Sequence, residues 1–123
     1  MKDILDRLDK ILEDRKFSGG DSSYVASLYE KGSKHICSKV LEEANELVEA
    51  TNENKQRMIH ESADLLFHVL VLLASHDIKY ARILEELENR FGTSGIEEKN
   101  NRKWWGNRMF SGISPWSILL ILI

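Results

Sequence analysis

The sequence predicts an all-α domain, on three observations. Apolar residues recur at three- and four-residue spacing, period-two alternation is scarce, and the sole proline, Pro115, stands near the end. Ile4, Leu5, Leu8, Ile11 and Leu12 form the first stripe and predict an amphipathic helix near residues 2–15. A turn-rich FSGGDSS follows, in which Asp21, Ser22 or Ser23 can cap a short helix through SYVASLYEK, stopped by Gly32. Residues 34–52 predict a third helix and 56–75 a fourth. The fourth, containing MIHESADLLFHVLVLLA, is apolar nearly all round and suits burial in a bundle or a dimer interface. Asp77 is the expected cap of a fifth helix, with Ile78, Ala81, Leu84, Leu87 and Phe91 on one side and Gly92 ending it. Ser94 and Glu97 have the spacing of a capping box that opens a last short helix.

At 123 residues the chain is long enough for one modest core. A hydrophobic content of 42% with 30% charged residues is ordinary for a globular chain, and a net charge of −3 opposes general nucleic-acid binding. Cys37 is the only cysteine, so no internal disulfide forms and a reducing compartment fits best. The N-terminal MKDILDRLDK lacks the apolar stretch of a signal peptide, so a cytoplasmic protein with no membrane association is expected. Composition changes near residue 103. Trp104, Trp105, Pro115, Trp116 and the run ILLILI all follow, dividing a helical domain at 1–103 from a tail at 104–123. SILLILI is far shorter than the roughly 20 apolar residues that span a bilayer. The tail reads as a disordered or non-native extension rather than a partner-binding or membrane-touching end.

The chemistry lies in the third and fourth helices. In KVLEEANELVEA (39–50), successive residues turn by about 100°, which gathers Val40, Leu41, Ala44, Leu47 and Val48 into an arc of about 120°. Glu42 and Glu49 point away from that arc, whereas Glu43 lies at its margin with Glu46 on the same side. In the next helix Glu61, Asp64 and His68 sit at i, i+3 and i+7 and form a polar stripe on an apolar element. Ionised carboxylates removed from water are costly unless paired or bound to a metal. Two acids on each of two antiparallel helices would make an all-oxygen site of the kind hard Mg²⁺ or Mn²⁺ prefers. The bland alternative is that the acids are a solvated face. His68 reads as a hydrogen-bonded core histidine, while His35, His60 and His76 carry no pattern.

E-E-x-x-E followed by E-x-x-D on consecutive helices resembles the all-α nucleoside triphosphate pyrophosphohydrolases, the MazG-like superfamily. SSYVASLYEKG (22–32), the two acidic stretches and RFGTSGIEEKNNR (90–102) narrow the resemblance to the phosphoribosyl-ATP pyrophosphohydrolase family, over residues 3–103. That resemblance implies a helical bundle completed by homodimerisation and Mg²⁺-dependent hydrolysis of phosphoribosyl-ATP, a small nucleotide, to phosphoribosyl-AMP and pyrophosphate. Its metal ligands match Glu43, Glu46, Glu61 and Asp64, and Glu42 becomes a candidate for positioning or deprotonating water. Lys31, Lys39, Arg90, Ser94, Lys99 and Arg102 are candidate substrate contacts. Contact with phosphoribosyl-AMP cyclohydrolase, the enzyme of the next step, is a further implication. The tail has no counterpart in the family pattern, and Phe67 stands where tyrosine is common.

Overall fold

The computed structural model describes residues 3–91, and every described regular element is helical. Expectations for Gly92, Ser94, Glu97, Lys99, Arg102 and the boundary near 103 lie outside the described residues. Within them the chain divides into two units after Tyr80.

In the first unit α1 (Ile4–Asp14) runs into a single 3₁₀ turn at Arg15–Phe17. The predicted stripe of α1 splits: Leu12 is buried and Leu5 and Leu8 pack partly against the core, while Ile4 and Ile11 are exposed. Helix α2 (Tyr24–Lys31) is capped by Ser23, whose Oγ accepts the Ala26 N–H at 3.0 Å, and ends at Gly32 with φ +96°. A side chain is strained at that angle, so glycine separates α2 from α3 (Ser33–Ala50) with no intervening loop.

Helices α3 and α4 (Lys55–Ser75) form the most extensive pairing of the fold, an antiparallel hairpin across the turn Thr51–Asn54. Asn54 caps α4 by accepting the Arg57 N–H at 2.8 Å. The core lies toward the C-terminal half of α4, where Leu70, Val71 and Ala74 meet Leu12, Val25, Leu28 and Ile36. Tyr29 ties α2 to α1 by donating its hydroxyl to the Leu12 carbonyl at 2.9 Å.

Contrary to its all-round apolar sequence, α4 is not enclosed on every side, since Ile59 and Leu66 are exposed. Its mean hydropathy of 1.4 meets the length and composition of a bilayer-crossing helix, but a helix contributing Leu70, Val71 and Ala74 to a core has the same composition.

Asp77 does not cap a fifth helix. It stands just past the end of α4 with φ +60°, and the Ile78 and Asp77 N–H groups bond the Leu73 and Ala74 carbonyls, each at 2.9 Å. This is a Schellman ending with aspartate in the place usually held by glycine. The aspartate is held there by its side chain, which accepts from Lys16 Nζ at 2.6 Å and so joins the end of α4 to the end of α1. Helix α5 (Tyr80–Phe91) starts at Tyr80, leaving Ile78 in the turn.

Leu28 is 1% exposed and touches the centre of this core. Leu28→Ala is expected to lower unfolding free energy by about 3 kcal/mol in urea denaturation.

Candidate active site

The hairpin brings carboxylates of α3 and α4 together where the apolar core gives out. Glu43 is 7% exposed and Glu61 2%, although both are acids on helices with solvent available on other faces. An oxygen from each of Glu43, Glu46 and Glu61 lies within 4.8 Å of the other two. Glu43 Oε2 and Glu61 Oε2 are buried and have no hydrogen-bond partner in the protein. Buried carboxylate oxygens without a partner, in acids this close together, are a costly arrangement for a merely structural helix pair. They fit a hard divalent cation, which takes oxygen donors and cancels their mutual repulsion.

The electrostatics agree with the geometry. Burial pushes the Glu43 carboxyl above the usual glutamate range, and the neighbouring Glu46 adds to this by its charge and by sharing a hydrogen bond, with Asp64 contributing further. Glu42 and Glu49 are exposed, as the helical wheel requires, but so are Leu41 and Val48 of its apolar arc, and the buried residues of α3 are Ile36, Glu43 and Ala50. Glu42 accepts from Lys39 Nζ at 2.9 Å, and that bond holds its carboxyl below the usual range and the lysine above its own. Lys39 Nζ also approaches Glu43 Oε1 at 3.9 Å, at the rim of the acidic cluster.

Asp64 takes a less central place. Its Oδ2 lies 3.3 Å from His60 Nε2 one turn earlier on α4, and Asp64 groups with His60 and Glu61 rather than with the α3 glutamates. Arg57, to which no functional pattern pointed, reaches Glu61 Oε1 at 2.7 Å and Glu53 Oε2 at 3.3 Å. Its position four residues before Glu61 and four after Glu53 is the signal available in the sequence. With Oε1 held by the guanidinium, Oε2 is the oxygen Glu61 leaves open.

His68 is a buried, hydrogen-bonded histidine, as its place on the stripe suggested. Its Nδ1–H donates to the Asp64 carbonyl at 2.8 Å, so in the neutral ring Nε2 accepts the Tyr24 hydroxyl at 2.9 Å. Tyr24 stacks on Phe67 at 6.3 Å, and Phe67 meets His68 edge-on at 5.1 Å. These contacts attach the start of the SYVASLYEK helix to the acidic helix, which a one-dimensional pattern does not reveal. Lys31 is exposed in the last turn of α2. Arg90 belongs to the second unit and pairs with Glu86 at 3.2 Å.

Two outcomes follow for the protein freed of divalent ions. Glu43→Gln keeps the shape and removes a buried charge, so at neutral pH in EDTA it is expected to be more stable than wild type by about 1–3 kcal/mol. The folded chain holds the Glu43 proton more tightly than the unfolded chain, so this carboxyl's contribution is fully present below the ordinary glutamate value and lost as pH rises through the raised one. The advantage of Glu43→Gln over wild type should therefore grow across that window and vanish in acid, as thermal unfolding at a series of pH values will measure.

Comparison with known proteins gives a single family. The family model described as phosphoribosyl-ATP pyrophosphohydrolase matches residues 5–91. A protein of Vesicomyosocius okutanii named phosphoribosyl-ATP pyrophosphatase is 48% identical over 103 residues, covering 83% of this chain and 98% of that protein. The proteins of that name from Hydrogenovibrio crunogenus and Geobacter metallireducens are 50% and 48% identical, each over 81% of this chain and 93% of the relative. The match takes in the capped α2, the α3–α4 hairpin and all four paired acids, and on that extent the chain belongs to the phosphoribosyl-ATP pyrophosphohydrolase family.

Proposed function

We propose that this protein hydrolyses phosphoribosyl-ATP to phosphoribosyl-AMP and pyrophosphate, the second step of histidine biosynthesis, as a cytoplasmic Mg²⁺-dependent enzyme that also accepts Mn²⁺. The observation that carries the reading is the pair of buried, partnerless oxygens, Glu43 Oε2 and Glu61 Oε2, inside a chain of this family. Glu43, Glu46 and Glu61 would hold the cation, with Asp64 beside Glu61. When bound, such an ion neutralises phosphate oxygens and lowers the pKa of a coordinated water.

The remaining residues act around that centre. Lys39 offers an ammonium at the rim for a phosphate of the substrate. Glu42 orients that lysine, and its lowered pKa makes it a weaker base than a free glutamate, so a positioning role fits it better than proton removal. Lys31, Arg90, Ser94, Lys99 and Arg102 stand as further phosphate contacts on the family resemblance.

The active form is a homodimer in this reading. Leu41 and Val48 on α3, and Ile59 and Leu66 on α4, are each spaced by seven residues and 52–67% exposed. Apolar stripes of this kind on paired helices favour a second copy. Phosphoribosyl-AMP cyclohydrolase, which consumes the product, is the natural further partner. A preference for another nucleoside triphosphate, or a non-catalytic helical module, are the competing readings.

Pyrophosphate release separates them. Wild type with Mg²⁺ is expected to act on phosphoribosyl-ATP in preference to ATP, dATP and dUTP, with Glu61→Ala slower by at least about 100-fold. Equal rates on all four nucleotides would favour the broader pyrophosphohydrolase, and no Mg²⁺-dependent release would favour the module.

A further inference from the structure

Each of the two buried acids of the hairpin has a basic residue one helical turn before it. Lys39 stands four residues before Glu43 and Arg57 four before Glu61, and side chains so spaced share a helix face. Lys39 Nζ lies 3.9 Å from Glu43 Oε1, and Arg57 Nη2 lies 2.7 Å from Glu61 Oε1. Both acids therefore turn one oxygen toward a cationic side chain and leave the other, Oε2, open among the described residues. We infer that Arg57 determines which ion the proposed magnesium centre takes: by keeping Glu61 Oε1 it limits Glu61 to one-oxygen coordination, and so favours Mg²⁺ over Ca²⁺. The inference rests on the magnesium reading and deepens it, since it names the residue that selects the ion.

Arg57 is held from both sides. Its Nε lies 3.3 Å from Glu53 Oε2, so the guanidinium bridges Glu53 and Glu61, one turn before it and one turn after. The planar fork makes this possible, because its nitrogens are fixed relative to one another and each can serve a different carboxylate. The hydrogen bond donated to Glu53, and then the charge of Glu61, raises the Arg57 pKa, so the side chain stays a cation. The Glu61 side chain is 3% exposed and that of Arg57 46%, so the contact reaches from a wet rim to a buried carboxylate. An ion pair between two solvated side chains is a weak restraint. Here the release of Arg57 would strand a buried oxygen without a donor, which makes the contact costly to give up.

The number of oxygens a carboxylate gives separates the two ions. Ca²⁺ takes about six to eight oxygens at roughly 2.3–2.6 Å and often both oxygens of one carboxylate, whereas Mg²⁺ demands a near-ideal octahedron at about 2.1 Å and keeps several waters. The two oxygens of a carboxylate stand closer together than neighbouring corners of that octahedron. With Oε1 kept by Arg57, Glu61 offers the single oxygen that suits Mg²⁺ and withholds the pair from which Ca²⁺ gains. The positive charge at Arg57 also repels any divalent ion, but equally for both, so the ratio of the two affinities isolates the coordination effect.

The test melts the full chain, freed of divalent ions, over a series of MgCl₂ and of CaCl₂ concentrations and reads an apparent affinity for each ion from the stabilisation. Arg57→Ala and Arg57→Met, the second of which keeps an apolar stem, should shift the ratio of the two affinities toward Ca²⁺ by at least about tenfold. Arg57→Lys, which keeps a charged donor at the same place, should return the ratio to within about threefold of wild type. Crystals grown with Ca²⁺ should show both Glu61 oxygens on the ion in Arg57→Met and Oε2 alone in wild type. A ratio unchanged in both Arg57→Ala and Arg57→Met, or two-oxygen coordination by Glu61 in wild type, would overturn the inference while Mg²⁺ stabilisation of wild type that Glu43→Gln abolishes would leave the magnesium reading standing. A wild type that Mg²⁺ does not stabilise at all would overturn both.

Discussion

The mutual repulsion of Glu43, Glu46 and Glu61 across the α3–α4 hairpin is the constraint around which this molecule is arranged. Two of the three are almost fully buried, and each of those two keeps one oxygen with no partner. Left to itself such a cluster pushes the helices apart or takes up a proton, and burial first, then the charge of Glu46, pushes the Glu43 carboxyl above its usual range. The helices stay together because their apolar contacts lie elsewhere. Leu70, Val71 and Ala74 anchor the far half of α4 in the core, some nine to thirteen residues, or about 14–20 Å of helical rise, beyond Glu61. Stability is thus concentrated at one end of the hairpin, and the other end is free to carry charge.

That division accounts for several local features. Arg57 draws one oxygen of Glu61 into an ion pair, Lys39 does the same for Glu42 at the rim, and Tyr24 with His68 fixes the helix face that presents Asp64. At the other end Lys16 and Asp77 tie α1 to the end of α4, beside a cavity of about 130 Å³ whose lining includes Asp9, Glu13 and Lys79 but none of the clustered acids. A buried charge that weakens the fold and, in the proposed activity, would serve only with a cation bound is a familiar compromise between stability and activity.

The helices and the acid pairs were legible because both depend on the 3.6-residue period. The opposite position of Glu42 and Glu49 foretold their exposure, but the apolar arc did not mark the covered face of α3: Leu41 and Val48 are exposed, and Glu43 is buried on a line with Ile36 and Ala50. Ser23 and Gly32 were readable as helix ends for similar local reasons. Asp77 misled because aspartate serves both as a helix cap and as a left-handed residue, and only the distant Lys16 decides between them. Asp64 was read as an equal member of a four-acid set, yet its contact with His60 depends on rotamers that sequence spacing does not specify. The exposure of Ile59 and Leu66 was hidden because an apolar helix looks the same whether one chain or two will cover it.

The central claim is that the hairpin's carboxylates hold a divalent cation between α3 and α4. Anomalous scattering from crystals grown with Mn²⁺ tests it most directly, since it locates the ion without reference to activity. The account predicts a peak within coordination distance of Glu43, Glu46 and Glu61, with the open oxygens of Glu43 and Glu61 among its ligands. Mn²⁺ bound only away from this cluster, with the three carboxylates still unpaired, would contradict it.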